Sequence, residues 1–129
     1  MSISKEVYSA GPYNNIFAQA VKVGDTLYIS GQVGVKPDGT PGANIVEQTQ
    51  LAYANIQHVL KQFNAQAENI VDETWFTTNM KDLMKQNEAV FATRGEFYKG
   101  SAEVCQTLVE VSALVMPELL LEIKCVAKL

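Results

Sequence analysis

The segment LLLEIKCVA at positions 119–127 places the strongest constraint on the fold of this chain. Successive side chains of a β-strand point to opposite faces of the sheet. One face of this segment therefore takes leucine, isoleucine and cysteine, and the other takes leucine and valine beside Glu122 and Lys124. Apolar groups on both faces predict a strand that is buried on both sides. We expect the second face to be covered by other copies of the chain in an oligomer.

Composition limits the class of protein further. The chain has 129 residues, of which 47% are hydrophobic and 19% charged, and this predicts a single globular domain over residues 1–129. The net charge of −4 gives no electrostatic footprint for nucleic acid or an anionic membrane. No apolar run approaches the ~20 residues that span a bilayer, and the first residues lack the apolar stretch of a signal peptide. We expect a cytoplasmic protein.

Several kinds of site lack sequence support. The chain has two cysteines and one histidine, without CxxC or HExxH spacing, so we expect no metal site. It has no GxxxxGK[ST] loop and no GxGxxG after a strand, so we expect no nucleotide cofactor. A Ser–His–Asp hydrolase has little support because GxSxG is also missing.

The first half of the chain predicts a hairpin and a helix. Residues 18–23 and 26–30 have strand patterns and flank the turn signal Gly24-Asp25. A helix is predicted over residues 45–63, with Asn44 as N-cap. Asn64 would end this helix in a left-handed conformation.

The second half predicts a strand over residues 70–78, a helix over 83–98 and strands over 107–114 and 119–126. Pro117 lies in the turn between the last two strands. The order β-β-α-β-α-β-β favours an α+β fold, in which a mixed sheet carries both helices on one face.

Five stretches, taken together in order and spacing, resemble the RidA (YjgF) family, which is also labelled endoribonuclease L-PSP. They are GPY at 11–13, AVKVGDTLYISGQ at 20–32, EQTQLAYANIQHVLKQ at 47–62, the helix around Asn87, and LVEVSALVMPELLLEIKCVA at 108–127. The resemblance implies a chorismate-mutase-like α+β fold and a homotrimer with ligand clefts between subunits. It implies a small-molecule metabolite as partner, no nucleic acid, and hydrolysis of reactive enamines or imines to keto acids and ammonia.

The resemblance also suggests residue roles. Glu122 falls on a glutamate that acts as acid and base in the family. The alternative for Glu122 is a strand glutamate paired with Lys124 or with a neighbouring subunit. Ser30 and Gly31 fall on a segment that borders the cleft, although small residues there also suit a simple β-bend in which Ser30 caps a free amide.

Gln106 falls where the family carries an arginine that clamps the substrate carboxylate. Because glutamine is neutral, it lacks the charge for bidentate carboxylate binding. The resemblance therefore implies a hydrolytic deaminase with altered specificity, for which an aminomuconate-like substrate is one possibility. A non-catalytic metabolite-binding trimer is the alternative, and RNA cleavage ranks last.

Two helix residues are further candidates. Asn87 interrupts an apolar stripe, so it is expected on a buried face, either at the ligand or bonded to loop backbone. Arg94 lies seven residues later on the same helix face and is a candidate replacement cation. The alternative for Arg94 is a surface residue over Phe97 or paired with Glu96 or Glu88.

Aromatic residues complete the sequence predictions. Counting from GPY, Tyr13 is the ring at the cleft, whereas counting back from the first strand favours Phe17. Trp75 is expected in the core or at a subunit interface. Tyr28 and Tyr53 are expected at core edges, and His58 at the rim or surface.

Overall fold

A computed structural model describes residues 2–129 of the chain. The helices are α1 (Ile45–Lys61), α2 (Met80–Lys85) and α3 (Asn87–Phe97), with a 3₁₀ turn at Ala67–Asn69. The strands are β1 (Glu6–Tyr8), β2 (Ala20–Val23), β3 (Thr26–Val33), β4 (Ile70–Thr77), β5 (Cys105–Glu110) and β6 (Leu121–Lys128). The predicted order is confirmed, with one extra short strand at the start and a division of the second helix.

All six strands form one mixed sheet in the order β1-β2-β3-β6-β4-β5. Only β4 and β5 pair in parallel, and every other neighbouring pair is antiparallel. The last strand of the chain, β6, therefore lies between β3 and β4. This central position fits the burial of β6, in which every second side chain from Leu121 to Ala127 is completely buried.

Helix α1 begins and ends where its sequence signals predict. The Asn44 side chain accepts a hydrogen bond from the amide of Glu47 at 2.9 Å, so the predicted N-cap is confirmed. After the last turn, Asn64 adopts a φ of 54°, the predicted left-handed conformation. The helix packs on β3 and β6.

The predicted continuous helix over residues 83–98 is wrong, because the helix is divided at Gln86. This residue has φ −101° and ψ 19°, and its amide bonds back to the carbonyls of Asp82 and Leu83. Leu83 and Val90 are fully buried on either side of the break. An unbroken helix would point Asn87 toward the core with them, whereas the break leaves Asn87 exposed. The prediction that Asn87 lies on a buried face is therefore also wrong.

The hydrophobic core lies between the helices and one face of the sheet. Trp75, Leu121, Ile123 and Cys125 are completely buried there. Tyr53 is also buried, at 2% exposure, so it is a core residue rather than a core edge. No helix among residues 2–129 covers the other face, which we call the open face.

The open face of the sheet carries the alternate side chains of the central strands. Tyr28 on β3 lies there and is 48% exposed, which corrects its predicted place at the core edge. Its neighbour Val126 on β6 and Phe76 on β4 are partly exposed as well. The second face of the sheet is thus apolar in part and uncovered within one chain.

Candidate functional site

Two glutamates lie on opposite faces of the same sheet. On β4, Glu73 is paired with Cys125 and points to the helix-covered face. On β6, Glu122 is paired with Phe76 and points to the open face. The strand alternation that separates these carboxylates also divides the candidate residues into two groups.

The first group surrounds the Glu73 carboxylate, which is completely buried. The hydroxyls of Tyr53 and Tyr98 each donate to Oε1 at 2.7 Å. The Nε of Arg94 donates to Oε2 at 2.6 Å, and the Nε2 of Gln106 donates to the same oxygen at 2.8 Å. Four donors on two oxygens satisfy this carboxylate, as a buried charge requires. We call Glu73 and these four donors the Glu73 cluster.

Three donors of the Glu73 cluster are titratable, and their surroundings keep them protonated. Burial raises the pKa of both tyrosines, and the charge of Glu73 raises it further. Burial acts to lower the pKa of Arg94, but the hydrogen bond and charge of Glu73 outweigh it, so the pKa is raised. The guanidinium also lies over the Tyr98 ring, 5.0 Å from its centroid.

The alternative for Arg94 that pairs it with Glu96 or Glu88 at the surface is wrong, because Arg94 pairs with Glu73. Arg94 and Gln106 bond to the same oxygen, so the structure brings these two candidates together. Sequence reasoning missed Glu73 itself. Its signal is the alternation in IVDETWFTT, which places an acid on the same face as Trp75.

Side chains of α3 and β5 connect the Glu73 cluster with the surface. The Arg94 side chain is 17% exposed there, and Gln106 is partly buried. Phe91 stacks on Trp75 with ring centroids 5.3 Å apart and remains 36% exposed. Asn87 lies one turn before Phe91 on α3, so it shares this side of the helix. We call the exposed parts of these four side chains, Arg94, Gln106, Phe91 and Asn87, the α3–β5 surface.

The second group lies on the open face around Glu122, which is partly buried. Burial raises the pKa of the Glu122 carboxyl, and the charge of Lys124 offsets this in part. Lys124 Nζ donates to the carbonyl of Ile29 at 3.2 Å. Among residues 2–129, the Glu122 carboxylate has neither an ion pair nor a hydrogen bond, so the Lys124 pairing does not form in this chain.

The missing side chain of Gly31 leaves room for the Glu122 carboxylate. It lies in the irregularity where β3 shifts register against β6, between Ile29 and Gln32. A Cβ at position 31 would overlap the Glu122 carboxylate. Glycine is therefore the residue that lets this carboxylate lie against β3.

Ser30 anchors the loop before β2. Its hydroxyl donates to the carbonyl of Ala18 at 2.7 Å, and its amide donates to the carbonyl of Gln19. Ser30 thus satisfies a carbonyl, not the free amide that a simple β-bend would offer it. Gln32 Nε2 reinforces the contact through the Gln19 side chain at 2.9 Å.

The two aromatic candidates of the N-terminal loop lie side by side. The rings of Tyr13 and Phe17 stack with centroids 5.7 Å apart, and they are 40% and 45% exposed. The structure thus places both rings at one spot on the surface, and both remain available to a ligand. His58 is exposed on α1, as predicted, and its Nε2 lies 3.3 Å from the Tyr8 hydroxyl.

A single chain does not bring all candidates together. Gly31 and Glu122 meet on the open face, whereas Arg94 and Gln106 meet on the helix side. Within residues 2–129, no three metal-ligating side chains are grouped to hold an ion. The helices described here are all too short or too polar to cross a membrane.

Sequence comparisons with known proteins place this chain in a family. The family model described as Endoribonuclease L-PSP matches residues 4–129. A RutC family protein of Saccharolobus solfataricus is 35% identical over 120 residues, covering 92% of this chain and 87% of the relative. The 2-iminobutanoate/2-iminopropanoate deaminase of Mus musculus is 35% identical over 104 residues, covering 78% and 70%.

Solved structures give the same result. The Rid family protein YyfA of Yersinia pestis, described as of unknown function, superposes with a TM-score of 0.82 at 31% identity. The match covers 98% of this chain and all of YyfA. With a family match over nearly its whole length and this shared fold, the chain belongs to the endoribonuclease L-PSP family, also known as RidA/YjgF.

Proposed function

We propose that this protein is a hydrolytic deaminase that converts a reactive imine or enamine to a carbonyl compound and ammonia. The observation that carries the proposal is the Glu122 carboxyl, which has no hydrogen-bond or ion-pair partner among residues 2–129 and whose pKa burial raises. The mouse relative named as an iminobutanoate and iminopropanoate deaminase supports the same reaction class.

The reaction asks little of the protein, because an imine carbon is already electrophilic. Glu122 takes a proton from water as the water oxygen bonds to the imine carbon, the C=N electron pair moves to nitrogen, and Glu122 returns the proton to nitrogen to give a carbinolamine. Glu122 then carries the hydroxyl proton of the carbinolamine to nitrogen, the C–N bond breaks with its electron pair on the departing ammonia, and the O–H electron pair forms the carbonyl. A carboxyl with a raised pKa suits both steps, since it holds a proton more readily than an ordinary carboxyl and can still release it.

The complete site requires more than one copy of the chain, and we propose a homotrimer. Glu122 lies on the open face and the Glu73 cluster on the other, so one chain cannot present both to one small molecule. Partly exposed apolar side chains on the open face, Tyr28 and Val109 among them, favour association there. In such a cleft, one subunit supplies Glu122 and Gly31, and its neighbour supplies the α3–β5 surface.

We also propose that specificity differs from that of relatives with a strand arginine. Gln106 carries no charge, and the Arg94 cation beside it is already compensated by buried Glu73. RNA cleavage is a poorer proposal because the chain has a net charge of −4 and its single histidine is exposed on α1.

The deaminase proposal is tested with a freshly generated imine and the Glu122→Gln variant. We expect wild-type protein to accelerate ammonia release above background, and Glu122→Gln to lower the rate by roughly 10²–10⁴. Glu103→Gln, at an exposed position before β5, is the matched control and should keep the wild-type rate. Absence of acceleration by wild type with several imines, while a known deaminase works, would contradict the proposal.

A non-catalytic binding role is the second candidate, and the compensated Arg94–Glu73 pair favours it. A binder would hold a keto acid or amide equally well as wild type and as Glu122→Gln, without turnover in either. Ligand-dependent shifts in melting temperature, measured beside the ammonia assay, separate the two roles.

A further inference from the structure

The α3–β5 surface carries a hydrogen-bond acceptor on Gln106 and donors on Arg94, and both side chains bind one oxygen of Glu73. The orientation of Gln106 is fixed by chemistry, because a carboxylate only accepts hydrogen bonds. Gln106 must therefore turn its Nε2 toward Glu73, as observed at 2.8 Å. Its Oε1 is directed away from Glu73, and no residue among 2–129 donates to it. This oxygen is an unpartnered acceptor at the α3–β5 surface.

Arg94 supplies the donor. Its Nε is bonded to Glu73, and the terminal Nη groups have no hydrogen-bond partner among residues 2–129. Since no buried side-chain nitrogen or oxygen in the described chain lacks a partner, these groups are open to solvent. Arg94 Nε and Gln106 Nε2 share one oxygen of Glu73, so the ends of the two side chains that carry the free Nη groups and the free Oε1 meet at that oxygen.

Charge disfavours an anionic ligand at this pair. The positive charge of Arg94 is matched by Glu73 directly beneath it. A ligand carboxylate would gain little net attraction and would place its oxygens against the lone pairs of Gln106 Oε1. A primary carboxamide avoids this conflict, because its carbonyl accepts from Arg94 Nη and its N–H donates to Gln106 Oε1. The exposed Phe91 ring beside Arg94 suits an apolar body on the same ligand.

We propose that the α3–β5 surface selects a neutral carboxamide, or another group with an adjacent donor and acceptor, over a carboxylate. The inference rests on the proposed function only in placing this surface at the substrate. It makes the substrate class an amide-bearing imine and not a simple amino-acid imine.

The test compares binding of pyruvamide and pyruvate, which differ only in the amide or carboxylate group, by calorimetric titration of the full chain. We expect wild type to bind pyruvamide at least about tenfold more tightly, the effect of a single good hydrogen bond. Gln106→Met should abolish the preference, because it keeps the side-chain length and removes the acceptor. Gln106→Arg should reverse the preference toward pyruvate.

Gln50→Met, at an exposed glutamine of α1, is the matched control and should keep the wild-type preference. Equal or tighter binding of pyruvate by wild type, no binding of either probe, or an unchanged preference in Gln106→Met would each overturn the inference. If Gln106→Arg does not fold, Gln106→Met decides alone.

The outcome is separable from the deaminase test. An amide preference without turnover of any imine supports the specificity and contradicts the proposed reaction. Turnover with a preference for carboxylates supports the reaction and overturns the specificity.

Discussion

Glu73 and Glu122 are the same chemical group on adjacent strands, but the sheet gives them opposite environments. Glu73 is completely buried and accepts four hydrogen bonds. Glu122 faces the open side without a protein partner, and burial raises its pKa. A carboxylate whose every lone pair is used holds the structure together, whereas one left free can exchange a proton. Side chains alternate between the two faces along each strand, and this alternation places the two carboxylates on opposite faces of the sheet.

The largest effect we expect comes from removing the buried carboxylate. Glu73→Ala would leave the Arg94 guanidinium and two tyrosine hydroxyls without their acceptor. Breaking a buried ion pair by removing one partner costs about 3–5 kcal/mol. Urea unfolding at one fixed protein concentration should show a loss of this size in the free energy of unfolding.

Glu68→Gln is the control for that loss, because Glu68 is exposed in the 3₁₀ turn before β4. It should change the free energy of unfolding by less than about 0.5 kcal/mol. A loss below about 1 kcal/mol in Glu73→Ala would show that the Glu73 cluster contributes little to stability, and the contrast with Glu122 would fail.

An intermediate effect is expected at Gly31, and on activity instead of stability. Alanine there would displace the Glu122 carboxylate, which is the end of a flexible side chain and can move away. We expect deamination to fall by about tenfold or more, since misplacing a catalytic group by about 1 Å is costly. The melting temperature should change little.

Gly95→Ala is the matched control for Gly31→Ala, because a Cβ at position 95 in α3 meets no other atom within 4 Å. This change should preserve activity and stabilise the helix by up to about 1 kcal/mol. Equal activity of Gly31→Ala and Gly95→Ala would contradict the placement of Glu122 as the proton carrier.

Most of the fold could be predicted from the sequence, because the signals that begin and end its helices and strands are local. The alternation in strands, the Asn44 cap and the left-handed Asn64 are each decided by a few neighbouring residues. The break at Gln86 could not be predicted from the sequence. Leu83 and Val90 are seven residues apart, a spacing that also fits one face of an unbroken helix. Tertiary packing alone decides which way Asn87 points.

The candidate site could be predicted from the sequence only in part, because its residues are far apart in the chain. Arg94 and Gln106 could be singled out one by one, but their meeting point is Glu73, which lies 21 and 33 positions away in sequence. A buried acid in a strand is visible from the sequence, whereas its four donors come from α1, from α3 and the residue that follows it, and from β5. Sheet order, and not local pattern, assembles them.

The smallest expected effect concerns Glu122 and stability. Its folded-state pKa is raised, so the folded state binds more protons than the unfolded state above pH 4.5, the ordinary value. Stability from this group is therefore complete below that value and is lost as pH rises through the folded-state pKa. Glu122→Gln removes the free-energy cost of burying the charged carboxylate. Its melting temperature should equal or slightly exceed that of wild type at pH 8, with the advantage disappearing near pH 4. The opposite trend would mean that an ionised Glu122 is bound by a cation from a neighbouring subunit, which would make it a structural group like Glu73.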